Sequence, residues 1–324
     1  MTAETALAEG LAAAHSFSPT YRGGLTNHLP MALCALSALG GSAAQLRRFS
    51  AAYAPRLEPM ARAVTEVPGF LDELARVRLA IAERGREAVL RATIPRLVES
   101  IETHAFHGII RVAYAVRFQL DDDELAQGLA YWASGAEAAH PIAMPRGATQ
   151  ENPSTIFDSV RRSALGEAPA RAPLITTRMR GVSQRAGFEE AAASLRFDDD
   201  TLARLAETSA RAHLASGDFT ALHGVTGTHA FRVLAPYLGD RERGERYLFR
   251  ALLAAYVAAG APPVEGAVPT PSFSWPDLCD IGRERLDDHD VKLTDSAREE
   301  APLIGDRLAR ACAMRRLVPD KLQP

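Results

Sequence analysis

Glu102-Thr103-His104-Ala105-Phe106-His107-Gly108-Ile109-Ile110-Arg111-Val112-Ala113-Tyr114-Ala115-Val116 is the stretch whose reading decides the fold. Apolar residues recur along it at helical spacing, which predicts a buried helix and sets His104 and His107 one turn apart on one face. Two readings compete for that pair. Neutral imidazoles on adjacent turns can share a metal ion, since each ring offers one lone pair. Histidines at this spacing also serve as ordinary core or capping residues.

Working towards the N-terminus, Tyr21-Arg22-Gly23-Gly24-Leu25-Thr26-Asn27-His28-Leu29-Pro30 breaks at its glycine pair and carries capping residues before a proline. Proline fits a first helical turn, where its missing N–H costs nothing. A helix is therefore expected from about His28 to Leu39, apolar on nearly every side and ended by Gly40-Gly41. His28 at its mouth is either a ligand or an ordinary polar residue. Residues 43–53 and 70–81 read as amphipathic helices, and another helical tract starts at 85–91 with Pro95 near its break.

Working towards the C-terminus, the acidic run Asp121-Asp122-Asp123-Glu124 opens a helix that closes in Tyr131-Trp132-Ala133-Ser134-Gly135-Ala136. Residues 140–173 are interrupted by prolines and glycines throughout. So long an irregular stretch suits a lid or pocket wall, or a disordered insertion. Helices are expected again over 188–195 and 200–216. Then His223-Gly224 repeats His107-Gly108, and Tyr256-Val257-Ala258-Ala259-Gly260-Ala261 follows as a counterpart of the 131–136 segment, which reads as a loose internal duplication of a helical unit. His229 stands about 240 degrees around a helix from His223 and is left as structural or exposed. His15, His140 and His213 have no partner spacing. Glu137-Ala138-Ala139-His140 spells a di-iron motif, but once only and running into Pro141, and is rejected.

Asp287-Asp288-His289-Asp290-Val291-Lys292 leads into a helix expected over 297–316. Lys292 is one of only two lysines against 35 arginines, so where plain positive charge sufficed the chain uses arginine. A protonated amine cannot bind a metal. Lys292 is a ligand only if burial deprotonates it or carboxylation converts it to a carbamate; otherwise it pairs with Asp288 or Asp295.

The 324 residues, 47% hydrophobic and 24% charged, suit one large globular domain, residues 1–324. A net charge of -3 argues against a nucleic-acid surface. The N-terminal stretch has acidic Glu4 and Glu9 where a signal peptide needs basic residues, no uncharged run is long enough to span a membrane, and three scattered cysteines make no disulfide framework. A cytoplasmic protein is expected.

In order along the chain, Asn27-His28-Leu29-Pro30-Met31, His104-x-x-His107-Gly108-x-x-Arg111, Leu222-His223-Gly224-Val225-Thr226 and Asp287-Asp288-His289-x-x-Lys292 together resemble the questin oxidase-like family, over residues 20–315. The resemblance implies an all-α fold and oxidation of aromatic polyketides, of anthraquinone type, described either as Baeyer–Villiger-like oxygen insertion, with NADPH as external reductant, or as ring cleavage by dioxygen. It implies a mononuclear non-haem Fe(II) held by four histidines and a carboxylated lysine. Carried onto this chain, that makes Lys292 the modified lysine and His28, His104, His107, His223 and His289 the pool for four ligands, with His104 the first to be set behind the ligands. No Gly-x-Gly-x-x-Gly follows a strand, and neither flavin nor haem is expected. Tyr114, Trp132 and the 140–173 segment are the candidate substrate contacts. A non-catalytic polyketide-binding protein and a zinc hydrolase are the rival readings, and oligomeric state is left open.

Overall fold

The computed structural model describes residues 2–136, 150–167 and 172–322. It is all-helical, with a single antiparallel ribbon, Thr20–Tyr21 paired with Leu25–Thr26, among the described residues. The rejected 137–140 motif and the 140–149 and 168–171 parts of the irregular segment lie outside those residues. The remainder of that segment folds in part: Asn152 caps a helix over Pro153–Arg161.

Four helices meet where the chemistry sits. Leu29–Ala38 packs on Asp288–Ile304 and on His107–Arg117, and Phe219–Leu234 packs on both of the latter. Leu29 to Leu36 are all buried, as their unbroken apolarity predicts. Close approach of His107–Arg117 to Asp122–Gly135 depends on Gly108, where a Cβ would stand 2.7 Å from Trp132 Cγ. Beneath, Arg111 and Glu124 form a bidentate pair, almost wholly buried, that His15 Nε2 joins at 2.9 Å. His15, one of three histidines without partner spacing, thus has a partner 109 residues away in sequence.

Several helical expectations change: the helix expected over 188–195 stops at Ala192, and Pro95 lies inside the helix Arg86–Leu97. The helix expected through 102–116 begins only at His107, because His104, Ala105 and Phe106 take φ of 53°, 55° and 68°, a left-handed turn that reverses the chain. Such residues cost roughly 1–2 kcal/mol each, and here tertiary packing holds them: Phe106 is fully buried against Gly227, and His104 lies flat on Tyr131 with ring centroids 4.1 Å apart. Likewise the C-terminal helix is two, Asp288–Ile304 and Asp306–Leu317, divided at Gly305 with φ of 85°. No helix among the described residues is long and apolar enough to cross a membrane.

Candidate metal centre

Four helix N-terminal ends converge. His28 caps Leu29–Ala38, His107 opens His107–Arg117, His223 stands one turn into Phe219–Leu234, and His289 and Lys292 lie in the first turns of Asp288–Ile304. The rings are in contact: His28 stacks on His107 at 4.5 Å between centroids, His289 meets His28 edge-on at 4.7 Å, and His223 meets His107 at 4.7 Å. One nitrogen from each of His28, His107 and His289 lies within 4.8 Å of the others. His223 Nε2 stands 3.0 Å from His107 Nε2.

Every ring is turned by a fixed acceptor. His107 Nδ1 donates to the His104 carbonyl and His223 Nδ1 to the Phe219 carbonyl at 2.6 Å. His28 Nδ1 and His289 Nδ1 both donate to Asp288 Oδ2, the latter at 2.9 Å. A carbonyl or carboxylate only accepts, so each Nδ1 carries the proton and each Nε2 presents a lone pair. His28 Nε2 and His289 Nε2 are buried with no hydrogen-bond partner, while those of His107 and His223 face each other. Two lone pairs at that distance repel unless a cation is shared between them. This donor set fits a metal ion, each ligand backed by an orienting acceptor.

The electrostatics of His28, His107 and His223 fit neutral rings beside an anion. Burial, then the nearby Lys292 ammonium, pushes His28 down to about 3, and burial, then the neighbouring imidazoles and Lys292, holds His107 and His223 well below the ordinary histidine value. Burial alone would raise Asp288, but the two donors it accepts from hold its carboxyl well below the usual range. Lys292, 2% exposed, has its Nζ 3.7 Å from Asp288 Oδ2, too far for a strong hydrogen bond, and burial pushes its amine down to about 8. Of its two expected partners it therefore faces Asp288; Asp295 is taken by Arg117 and Tyr114.

The histidines floor a cavity of about 550 Å³, within the range for a small-molecule site. Its walls include Leu25, Val67, Pro68, Leu174, Ile175 and Phe219, and the Phe219 ring packs on His289 at 4.2 Å.

Not all the expected site residues gather here. His104 lines the same cavity, but its ring stacks on Tyr131 and not on the four rings; burial pushes it down to about 4, and its backbone carbonyl holds His107. Tyr114 and Trp132 do not line the cavity. Tyr114 donates to Asp295 Oδ2 at 2.9 Å, and Trp132 is fully buried against Gly108 with its Nε1 donating to the Ser100 carbonyl at 3.3 Å. Aromatic residues at helical spacing here fill the core. His229 is buried and bonded to Glu300 at 2.7 Å, a structural contact between helices. Of the irregular segment, Pro173 reaches the cavity wall. Sequence reasoning saw Asp288 only as a partner for Lys292. Its role as the acceptor for two rings needed the fold, although its place beside His289 was a signal.

Fold and site define an all-helical protein with a buried four-histidine and lysine cluster beneath a cavity sized for a small molecule. The chain belongs to the Questin oxidase-like family, whose model matches residues 70–296, including His107, His223, His289 and Lys292. That family implies an oxidase of aromatic polyketides. Comparison with curated proteins gives no match.

Proposed function

We propose that His28, His107, His223 and His289, with Lys292 carboxylated, hold a single Fe(II), and that the protein uses dioxygen to oxidise or cleave the ring of an anthraquinone-type polyketide. What carries this reading is that His28, His107 and His289 each bring a nitrogen within 4.8 Å of the others, that His223 Nε2 stands 3.0 Å from His107 Nε2, and that the Nδ1 atoms are committed to acceptors. Bound there, the iron would supply the one-electron chemistry that dioxygen needs to react with a closed-shell ring.

The chain's own residues do the rest. Asp288 Oδ2 keeps the protons of His28 and His289 on Nδ1, and the His104 and Phe219 carbonyls do the same for His107 and His223. The lowered Lys292 Nζ has a neutral fraction able to add to carbon dioxide: its lone pair forms the N–C bond and a proton leaves for solvent. The resulting carbamate offers the anionic oxygen that four neutral imidazoles lack. Phe219 and the apolar wall hold a flat ring over the histidines and exclude water.

The test is metal analysis of protein purified without chelator, followed by oxygen-consumption assays with hydroxyanthraquinones. About one iron per chain, lost together with turnover in Lys292→Ala, is the expected result. Zinc with hydrolytic activity, or no metal even after anaerobic Fe(II) addition, would overturn it.

A further inference from the structure

Arg178, on the helix Ile175–Ser183, lines the same cavity as the histidines. Its side chain forms no ion pair or side-chain hydrogen bond among the described residues, and its Nε–H is buried without an acceptor. Arg204, Arg285, Arg315 and Arg316 also have a buried Nε–H without an acceptor, but of these five Arg178 is the one that lines the histidine cavity. Other buried or half-buried arginines have a carboxylate partner: Arg111 has Glu124, Arg117 has Asp295, Arg250 has Glu189 and Arg316 has Asp287. The residue Arg178 is half-buried in the cavity wall with no counter-charge, so its guanidinium is placed to pair with an anionic ligand that enters the cavity.

The other charged groups of the cavity do not fill that role. Asp288 is occupied by His28 and His289, and Asp287 by Arg316 and its own helix N-terminus. Glu66 reaches only Arg62, at 3.5 Å, and keeps one buried oxygen without a partner. Arg56, the second guanidinium in the wall, is held by the Tyr21 hydroxyl and over the Tyr53 ring. Four helix N-terminal ends also point their partial positive charge at this cavity, a field that favours a bound anion.

We infer that the substrate carries a planar oxyanion, a carboxylate on its aromatic frame, and that Arg178 binds it and so fixes which ring edge lies over the histidines. This rests on the aromatic-substrate reading above. Arg178 is a specificity residue for that substrate: its fork matches a carboxylate, whereas a neutral quinone brings no charge to pair with it. Glu66, with its free oxygen in the same wall, suits a phenolic O–H of the same frame.

The probes are anthraquinone-2-carboxylate and its neutral amide, anthraquinone-2-carboxamide, titrated against the full-length protein by tryptophan fluorescence and calorimetry. Wild type is expected to bind the carboxylate about tenfold or more tightly than the amide. Arg178→Met should bring the carboxylate down to the affinity of the amide, and Arg178→Lys should restore part of the preference, with circular dichroism confirming that both variants fold. Equal binding of the two probes by wild type, or an undiminished preference in Arg178→Met, overturns the role of Arg178 and leaves the aromatic-substrate reading standing. Binding of neither probe overturns both.

Discussion

His107 and His223 point their Nε2 atoms at each other across 3.0 Å, each with its Nδ1 proton given to a backbone carbonyl. Neither ring can turn without losing that bond, so the repulsion of the two lone pairs is built in by the backbone and relieved by a shared cation. His107→Ala and His223→Ala should therefore each raise thermal stability of the metal-free protein relative to their effect on the loaded form. Each should also abolish stoichiometric metal binding. Differential scanning calorimetry with and without added Fe(II) reads both; equal metal-induced shifts in wild type and variants would contradict it.

Asp288 accepts from two rings with one carboxylate. In Asp288→Asn the oxygen that takes both ring protons loses its charge, so both contacts weaken and the rings are freer to rotate or change tautomer. Metal affinity should fall by about 10- to 100-fold, the usual effect of removing such a support. Competition with a chromophoric chelator measures it.

Lys292→Glu tests the carbamate directly, since it places a carboxylate on a shorter side chain where the proposal needs an anionic oxygen. Partial iron retention is expected, against none in Lys292→Met. Equal loss in both would favour a plain buried amine at this position.

Gly108 and Gly227 hold the walls of the centre by being small. A Cβ at either would stand 2.7 Å from an aromatic carbon, of Trp132 or Phe106 respectively. Gly108→Ala and Gly227→Ala should cost about 1–3 kcal/mol, as overpacked core positions do, measured by urea unfolding. Metal retention should weaken with them, because Phe106 immediately precedes His107.

Glu124 sets an acid limit. Burial raises its carboxyl, but Arg111 at 2.7 Å, helped by His15, outweighs that and holds it below the ordinary value. A depressed folded value means the stabilisation is complete above the unfolded glutamate pKa of about 4.3 and is lost as pH falls through the folded one. The melting temperature should thus drop below about pH 4. Glu124→Gln should flatten that limb while costing about 3–5 kcal/mol at neutral pH, since Arg111 is left buried without its partner.

The local code was readable where one segment settles its own structure. Apolar periodicity and caps predict the helix at Ala43–Tyr53 to the residue, and Pro30 after Asn27-His28 places the start of the buried helix at Leu29–Ala38. The histidines His28, His107, His223 and His289 and the rare Lys292 stood out as residue types whose chemistry a core seldom uses without cause. The left-handed turn at His104–Phe106 was not readable, because its residues have no intrinsic preference for positive φ. It exists because Gly227 leaves room for Phe106 and Tyr131 offers a face to His104.

By itself, then, the sequence determined that this chain folds into helices, which of their faces are apolar, and which side chains could ligate, since those follow from period, caps and side-chain chemistry. Only the tertiary structure decided which ones meet. It stacked His104 on Tyr131 through a left-handed turn at residues 104–106, before the helix, and it moved Tyr114 and Trp132 into the core. It brought Asp288 under two rings that are 261 residues apart in sequence (289 − 28), and left Arg178 facing a cavity without a partner. Contacts of that range depend on how whole helices pack, and no local pattern carries them.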